Sequence, residues 1–217
     1  MQNYNFIETH PSEDNFYLFD EVQNNLYLEK NTSLAKHQVT ETNLTVCVIL
    51  LIDTLPVGRY AFYENPLLAY KKHKTATIGS YECIDNKEVS TALLTHAKET
   101  GLKKGYTYLL GPMDGSTWNN FRFSKDNDAT NFFLEPYHHI YYNNQFTDNG
   151  FKVAAEYISN LDTRLRFNTE YLKNKQEKFE SNGLIFRNIR LDDFENDLYK
   201  IAQFSNDAFS ENFLFTP

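Results

Sequence analysis

Between Thr75 and Pro112 the chain reads TATIGSYECID, then NKEVSTALLTHAKETGLKKG, then YTYLLGP, and no other stretch places residues so well for chemistry. A strand pattern runs into a helix pattern and on into a second strand, with almost no loop between them: a βαβ unit. Where the first strand ends and the helix begins, several backbone N–H groups point outward without helical partners and favour an anion. A phosphate-bearing ligand is therefore expected between Tyr81 and Thr91. Just upstream, Lys71, Lys72, His73 and Lys74 form a dense basic cluster, which is ordinarily a solvated surface and can also meet a phosphate. Downstream, Met113 to Pro136 has little apolar periodicity, and a loop of that length is either functional or disordered. It carries the single tryptophan, Trp118, beside Ser116, Thr117, Asn119, Asn120 and Arg122. Aromatic and hydroxyl groups together suit a substrate pocket, and they equally suit a loop pinned down by its own aromatics. His138 and His139 adjoin Glu135, but neighbouring helical positions face different ways and zinc pairs need a spacing of three or four. No metal site is expected.

The elements that must position these groups follow from periodicity. Asn5 to Thr9 is a short strand, and Ser12 or Asp14 is placed to cap a helix whose apolar stripe is Phe16, Phe19, Val22 and Leu26. Asn31 to Asn43 is a polar connection. Leu44 to Asp53 and Val57 to Glu64 are rich in β-branched and aromatic residues and read as strands joined by a hairpin at Thr54-Leu55-Pro56. In the central unit, Val89, Leu93, Ala97 and Leu102, with Ala92 and Leu94, make one helical stripe against a sheet, and Gly101 and Gly105 close the helix. Tyr137 to Asp148 reads as a helix ended by Asn149-Gly150, and FKVAAEYISNL as a strand. A charged helix is expected from Thr163 to Glu180, a strand from Gly183 to Ile189, and a last amphipathic helix on Leu191, Phe194, Leu198, Ile201 and Ala208.

The chain has 217 residues and a net charge of -8, with a pI near 5.3. This suits one full domain and part of another, and it disfavours nucleic acid or an anionic membrane surface as partner. Cys47 and Cys83 sit in strand patterns rather than a CxxC pair, as reduced core residues of a cytoplasmic protein do. No secretory signal is visible at the amino terminus, and LTVCVILLI is far shorter than the roughly 20 residues of a membrane-spanning helix. The apolar end Phe213-Leu214-Phe215-Thr216-Pro217 is expected to dock on the first domain or on another copy, or to lead into further chain.

The order strand, helix, paired strands, βαβ unit, helix, Asn-Gly-Phe, strand resembles the GNAT superfamily of acyl-CoA-dependent N-acyltransferases over residues 1–162. The run Gly111-Pro112-Met113-Asp114-Gly115-Ser116-Thr117 is similar to that of a bacterial subgroup with a Gly-Pro and Ser-Thr loop after the fifth strand. YYNNQFTDNGFKVAAEYI resembles the late helix-to-strand passage of the same fold. The resemblance implies an α/β fold: a mixed, mostly antiparallel sheet with a central parallel βαβ unit and flanking helices, extended by a C-terminal strand and helix. It divides the chain into an acyltransferase-like domain at 1–162, a linker helix at 163–182 and, at 183–217, the start of a second such unit, through which a homodimer could form.

In that family the two parallel strands part at their carboxyl ends and the cofactor's pantetheine arm lies in the gap. The resemblance therefore implies that an acetyl-CoA or other acyl-CoA co-substrate is held by Cys83 and Ile84 and by the turn Asp85, Asn86, Lys87, Glu88, Val89 and Ser90. Glu82 becomes the base, Ser116, Thr117, Trp118, Asn119 and Arg122 shape the site for a small-molecule or peptide amine, and an acyl group passes to that primary amine. Two departures stand out. The family's glycine-bearing pyrophosphate loop is missing, and Asp85 with Glu88 would oppose a diphosphate. Phe146 replaces the tyrosine that protonates the leaving thiolate, so Tyr141, Tyr142 or solvent must substitute. A catalytically silent fold of the same kind, binding a ligand or partner, is the competing expectation.

Overall fold

The computed structural model describes residues 3–27, 39–126, 132, 135, 137–162 and 168–217. They fall into two compact units, one of residues Met1–Ala154 with Asn212–Pro217 and one of Ala155–Glu211.

The first unit is built on an antiparallel run of strands. β1 (Tyr4–Thr9) pairs with β2 (Leu44–Ile52), β2 with β3 (Leu55–Tyr63), and β3 with β5 (His73–Cys83). The short β4 (Ala69–Tyr70) forms a hairpin with the start of β5, and β6 (Tyr108–Leu110) joins β5 in parallel. The apolar run of β2 has no polar face because both of its faces are covered. Val48 and Leu50 turn toward helix α2 (Lys87–Lys103) and helix α3 (Tyr141–Asp148), in a core with Tyr60, Phe62, Ile78 and Leu93. Cys47, Ile49 and Leu51 turn the other way, onto Phe19 and Val22 of helix α1 (Tyr17–Leu26). The expected stripe of α1 is thus the one that packs, although a 3-10 turn at Asp14–Phe16 precedes it and neither Ser12 nor Asp14 caps it.

Two details differ from the sequence expectation for physical reasons. The β2–β3 reversal lies at Asp53-Thr54, with Asp53 in the left-handed region, and Pro56 sits inside β3 opposite Leu51. The pairing register shifts beside that position, which is where a sheet accommodates a residue that has no N–H to donate. The strands expected at FKVAAEYISNL and at Gly183 to Ile189 are not formed among the described residues, which run there without ladder partners and largely exposed. A β-prone sequence becomes a strand only against a neighbouring edge.

β5 positions the candidate site. Arg59 lies opposite Glu82 but Ala61 lies opposite Gly79, so β5 carries one extra residue, a bulge at Ser80 with φ 49°. Such a bulge bends the strand and re-aims the side chains that follow it. Parallel pairing with β6 covers only Thr75 to Thr77; beyond it β6 ends, and the chain crosses over β5 with the Met113 N–H on the Ile78 carbonyl at 2.9 Å. Gly79 permits that crossing, since a Cβ there would stand 2.7 Å from the Met113 backbone.

The second unit holds helix α4 (Thr169–Ser181) and helix α5 (Phe194–Phe209). Residues 163–167 of the expected charged helix lie outside the described residues. Asp197, on α5, is 3% exposed and gripped by Arg187 (2.5 and 2.8 Å) and Arg190 (2.9 Å), whose guanidinium groups hold its carboxyl well below the usual range.

Candidate functional site

Glu82 stands two residues beyond the bulge, 7% exposed. One carboxylate oxygen, Oε2, accepts two phenol hydroxyls: that of Tyr27, at the carboxyl end of α1, at 3.0 Å, and that of Tyr142, from α3. Arg59, opposite Glu82 on β3, is fully buried. It donates to the Phe19 carbonyl at 2.8 Å and to Gln23 Oε1 at 3.1 Å, which pegs α1 to the sheet and leaves the guanidinium charge near Glu82. Burial raises the Glu82 pKa, while Arg59, the two tyrosine hydroxyls and His139 work against that rise. Burial also pushes the Tyr142 phenol well above its ordinary value, so it remains a donor. His139 stacks on Tyr27, with ring centres 4.7 Å apart. The structure therefore brings together Glu82 and Tyr142, the two residues singled out for proton transfer. They form a buried cluster in which Glu82 Oε2 holds both phenols.

The expected cofactor seat has its own occupants. The strands do part beyond Leu110, but α3 fills the gap they leave. Tyr141 donates its hydroxyl to the Cys83 carbonyl at 3.0 Å, and Gln145 donates to the Ile84 carbonyl at 2.9 Å while accepting the Tyr81 hydroxyl at 2.8 Å. At the start of α2, Asn86 turns its side chain back over the helix end and accepts from the N–H groups of Glu88 (2.9 Å) and Val89 (3.1 Å). The Ser90 N–H bonds the Asn86 carbonyl, and the Asn86 N–H bonds the Ile84 carbonyl at 2.7 Å. Ser90 gives its hydroxyl to the Lys87 carbonyl. Asp85, Lys87 and Glu88 are exposed, and the Cys83 thiol is buried, with its pKa pushed up to about 12. Asn86, Tyr141 and Gln145 thus already engage part of the hydrogen-bonding capacity of the expected seat.

The Ser116–Arg122 loop is a second, separate construction. The Asp114 N–H bonds the Asn120 carbonyl, Met113 bridges Phe121, and Asn119 donates to the Asp114 carbonyl at 2.8 Å. Asn65 holds the Gly115 carbonyl from outside at 3.0 Å. Ser116 Oγ accepts the Trp118 N–H, and Arg122, at φ 67°, pairs with Glu135 at 3.5 Å. Trp118 faces the segment Asn212–Pro217: its indole N–H bonds the Thr216 carbonyl at 2.8 Å and its ring meets Phe215 edge-on at 5.7 Å. Thr117 lies in the same loop and is half-buried. Of the histidines near Glu135, His138 accepts the Ser124 N–H and His139 stacks on Tyr27. No group of three possible metal ligands occurs among the described residues, and no helix among them is long and apolar enough to cross a membrane.

Sequence reasoning missed Tyr27, Arg59 and Gln145. Tyr27 and Gln145 lie 55 and 61 residues from the β5 positions they bond, and nothing in their local pattern links them to that strand. Arg59 carried a readable signal: an arginine inside a strand otherwise apolar on both faces requires a buried partner.

No protein-family model matches the chain, and no curated protein matches it in sequence. Among solved structures, it is similar to an aminoglycoside acetyltransferase from an uncultured soil metagenomic sample in complex with trehalose, at 13% identity and TM-score 0.47, covering 75% of this chain and 97% of that one. It is also similar to an aminoglycoside acetyltransferase in complex with a bisubstrate analogue of coenzyme A, at 9% identity and TM-score 0.46, covering 74% and 98%. A transcriptional regulator from Bacillus halodurans C-125 aligns at 13% identity and TM-score 0.45, covering 74% and 100%. Likenesses of this size assign no activity to the chain.

Proposed function

We propose that this chain is an acyltransferase-type scaffold whose cofactor cleft is closed by its own side chains, and that its work is binding rather than acyl transfer. The observation that carries this reading is the double occupation of the cleft. Tyr141 and Gln145 take the Cys83 and Ile84 carbonyls, and Asn86 takes the first amides of α2. Opening such a seat breaks several part-buried hydrogen bonds at once, each worth about 0.5–1.5 kcal/mol.

A second reading, an acyl-CoA-dependent N-acyltransferase acting on a primary amine, is favoured by one observation. Glu82 has a raised pKa and a Tyr142 hydroxyl on its carboxylate, as a general base with a proton-relaying neighbour would.

Thermal unfolding with and without acetyl-CoA separates the two. A ligand at a hundred times its Kd stabilises the native state by about 2.7 kcal/mol, which for a protein of this size is a rise in Tm of roughly 5–10 °C. The closed-cleft reading expects no shift at millimolar acetyl-CoA. A rise of that size would overturn it in favour of the second.

A further inference from the structure

The Trp118 loop and the segment Asn212–Pro217 fit each other in a way the cleft does not require. The Phe215 N–H closes a turn onto the Asn212 carbonyl at 3.1 Å, with Leu214 in the left-handed region at φ 58°. A branched residue adopts that conformation at a penalty, so the turn is held by what surrounds it. Its two aromatics each meet a ring edge-on: Phe213 against Tyr70 of β4 at 5.9 Å and Phe215 against Trp118 at 5.7 Å. Between these rings Thr216 is 2% exposed, and its carbonyl receives the indole N–H. The receiving side is tied down by contacts of its own. Tyr70 is braced edge-on by Tyr108 of β6 at 5.0 Å, and the loop is tied by Asn65, Asn119 and the Met113–Phe121 bridge. Two aromatic rings, one of which also carries the indole donor, are the kind of surface on which a peptide turn can seat.

We propose that Tyr70 and the Trp118 loop form a binding site for a short peptide turn bearing two aromatics two residues apart and a following backbone carbonyl, and that Asn212–Pro217 is its resident ligand. On this assignment Ser116 to Arg122 recognises a peptide turn and not a small amine. The proposal does not depend on whether the cleft near Glu82 binds a cofactor.

Trp118 is the single tryptophan, so its fluorescence reports the site directly. In the full chain, Phe213→Ala combined with Phe215→Ala removes both anchors while leaving the receiving loop intact. The expected result is a red shift of Trp118 emission and a modest rise in its quenching by acrylamide, since the indole is already 57% exposed in the parent. A synthetic peptide of residues 212–217, added to that variant, restores the original emission and quenching. The same peptide with Leu214→Gly restores them at a concentration about fivefold lower, because glycine removes the left-handed penalty of roughly 1 kcal/mol. Far-UV circular dichroism of the variant checks that the sheet is retained. If the double variant fails to fold, Leu214→Gly in the intact chain is the second measurement, and it should lower acrylamide quenching of Trp118. The proposal is overturned if the folded double variant keeps the emission of the parent, or if the peptide leaves its shifted emission unchanged. It is overturned equally if, with the double variant unfolded, Leu214→Gly leaves quenching unaltered. Addition of acetyl-CoA should not change this signal, so a failure here is distinguishable from a failure of the closed-cleft reading.

Discussion

A carboxylate that bonds two phenols beneath a sheet obeys a different pH rule from a surface glutamate. Burial raises the folded pKa of Glu82 above its reference value of 4.5, so between those two values the folded state binds more protons than the unfolded one. Its contribution to stability therefore falls as pH rises through that window and levels off above the folded pKa, with a slope of at most about 1.4 kcal/mol per pH unit. Urea unfolding of the parent and of Glu82→Gln across pH 4 to 8 measures this. The parent should lose stability relative to the variant as pH rises; a difference constant over the range would contradict the buried, raised carboxyl. At this scale the sequence was partly legible. Glu82 and Tyr142 emerged from the order of elements, but their partner Tyr27 lies beyond a helix that only tertiary packing brings under β5.

Helix α2 shows what an element conveys through its own letters. Its start is fixed by Asn86, whose side chain accepts two amides; of its expected stripe Val89, Leu93, Leu94 and Ala97 are buried, whereas Leu102, in the last turn, is 71% exposed. Replacing Asn86 with alanine should cost about 1 kcal/mol of stability, within a range of 0.5–2, read as a fall in the urea midpoint at unchanged slope. The same replacement vacates the helix end for anions, so any gain in affinity for inorganic pyrophosphate would measure how far the cap alone closes the seat. Periodicity worked for β2 and α2 because both are packed on faces their residues can reach locally. It failed at FKVAAEYISNL and at Gly183 to Ile189, where alternation promised strands and no neighbouring edge completes them. Pairing is a property of two segments, and one segment's composition cannot report it.

The division into two units makes its own prediction for the whole molecule. Phe151 to Asp162 is almost wholly exposed and has no strand pairing, while Lys74 lies within β5 and Lys98 and Lys103 lie within α2. Brief trypsin treatment should cut after Lys152 before it cuts within β2 to β6, because cleavage follows local opening. Mass spectrometry of the first fragments decides the order, and early cuts at Lys98 or Lys103 would contradict it. The apolar composition of Phe213 to Pro217 suggested docking on the first domain as one of three outcomes, and Asn212–Pro217 groups with the first unit and not with the helices just before it.

That return carries a temporal consequence. Thr216 is made 98 residues after Trp118, and the strands of the sheet are joined to near neighbours in the chain. At a synthesis rate of about 5–20 residues per second, each nascent molecule presents an uncovered indole for roughly 5–20 s before its own closing turn exists. During that interval any passing aromatic turn of the right shape competes for the place on equal terms, so the ribosome, rather than the finished protein, sets when the site is open to strangers.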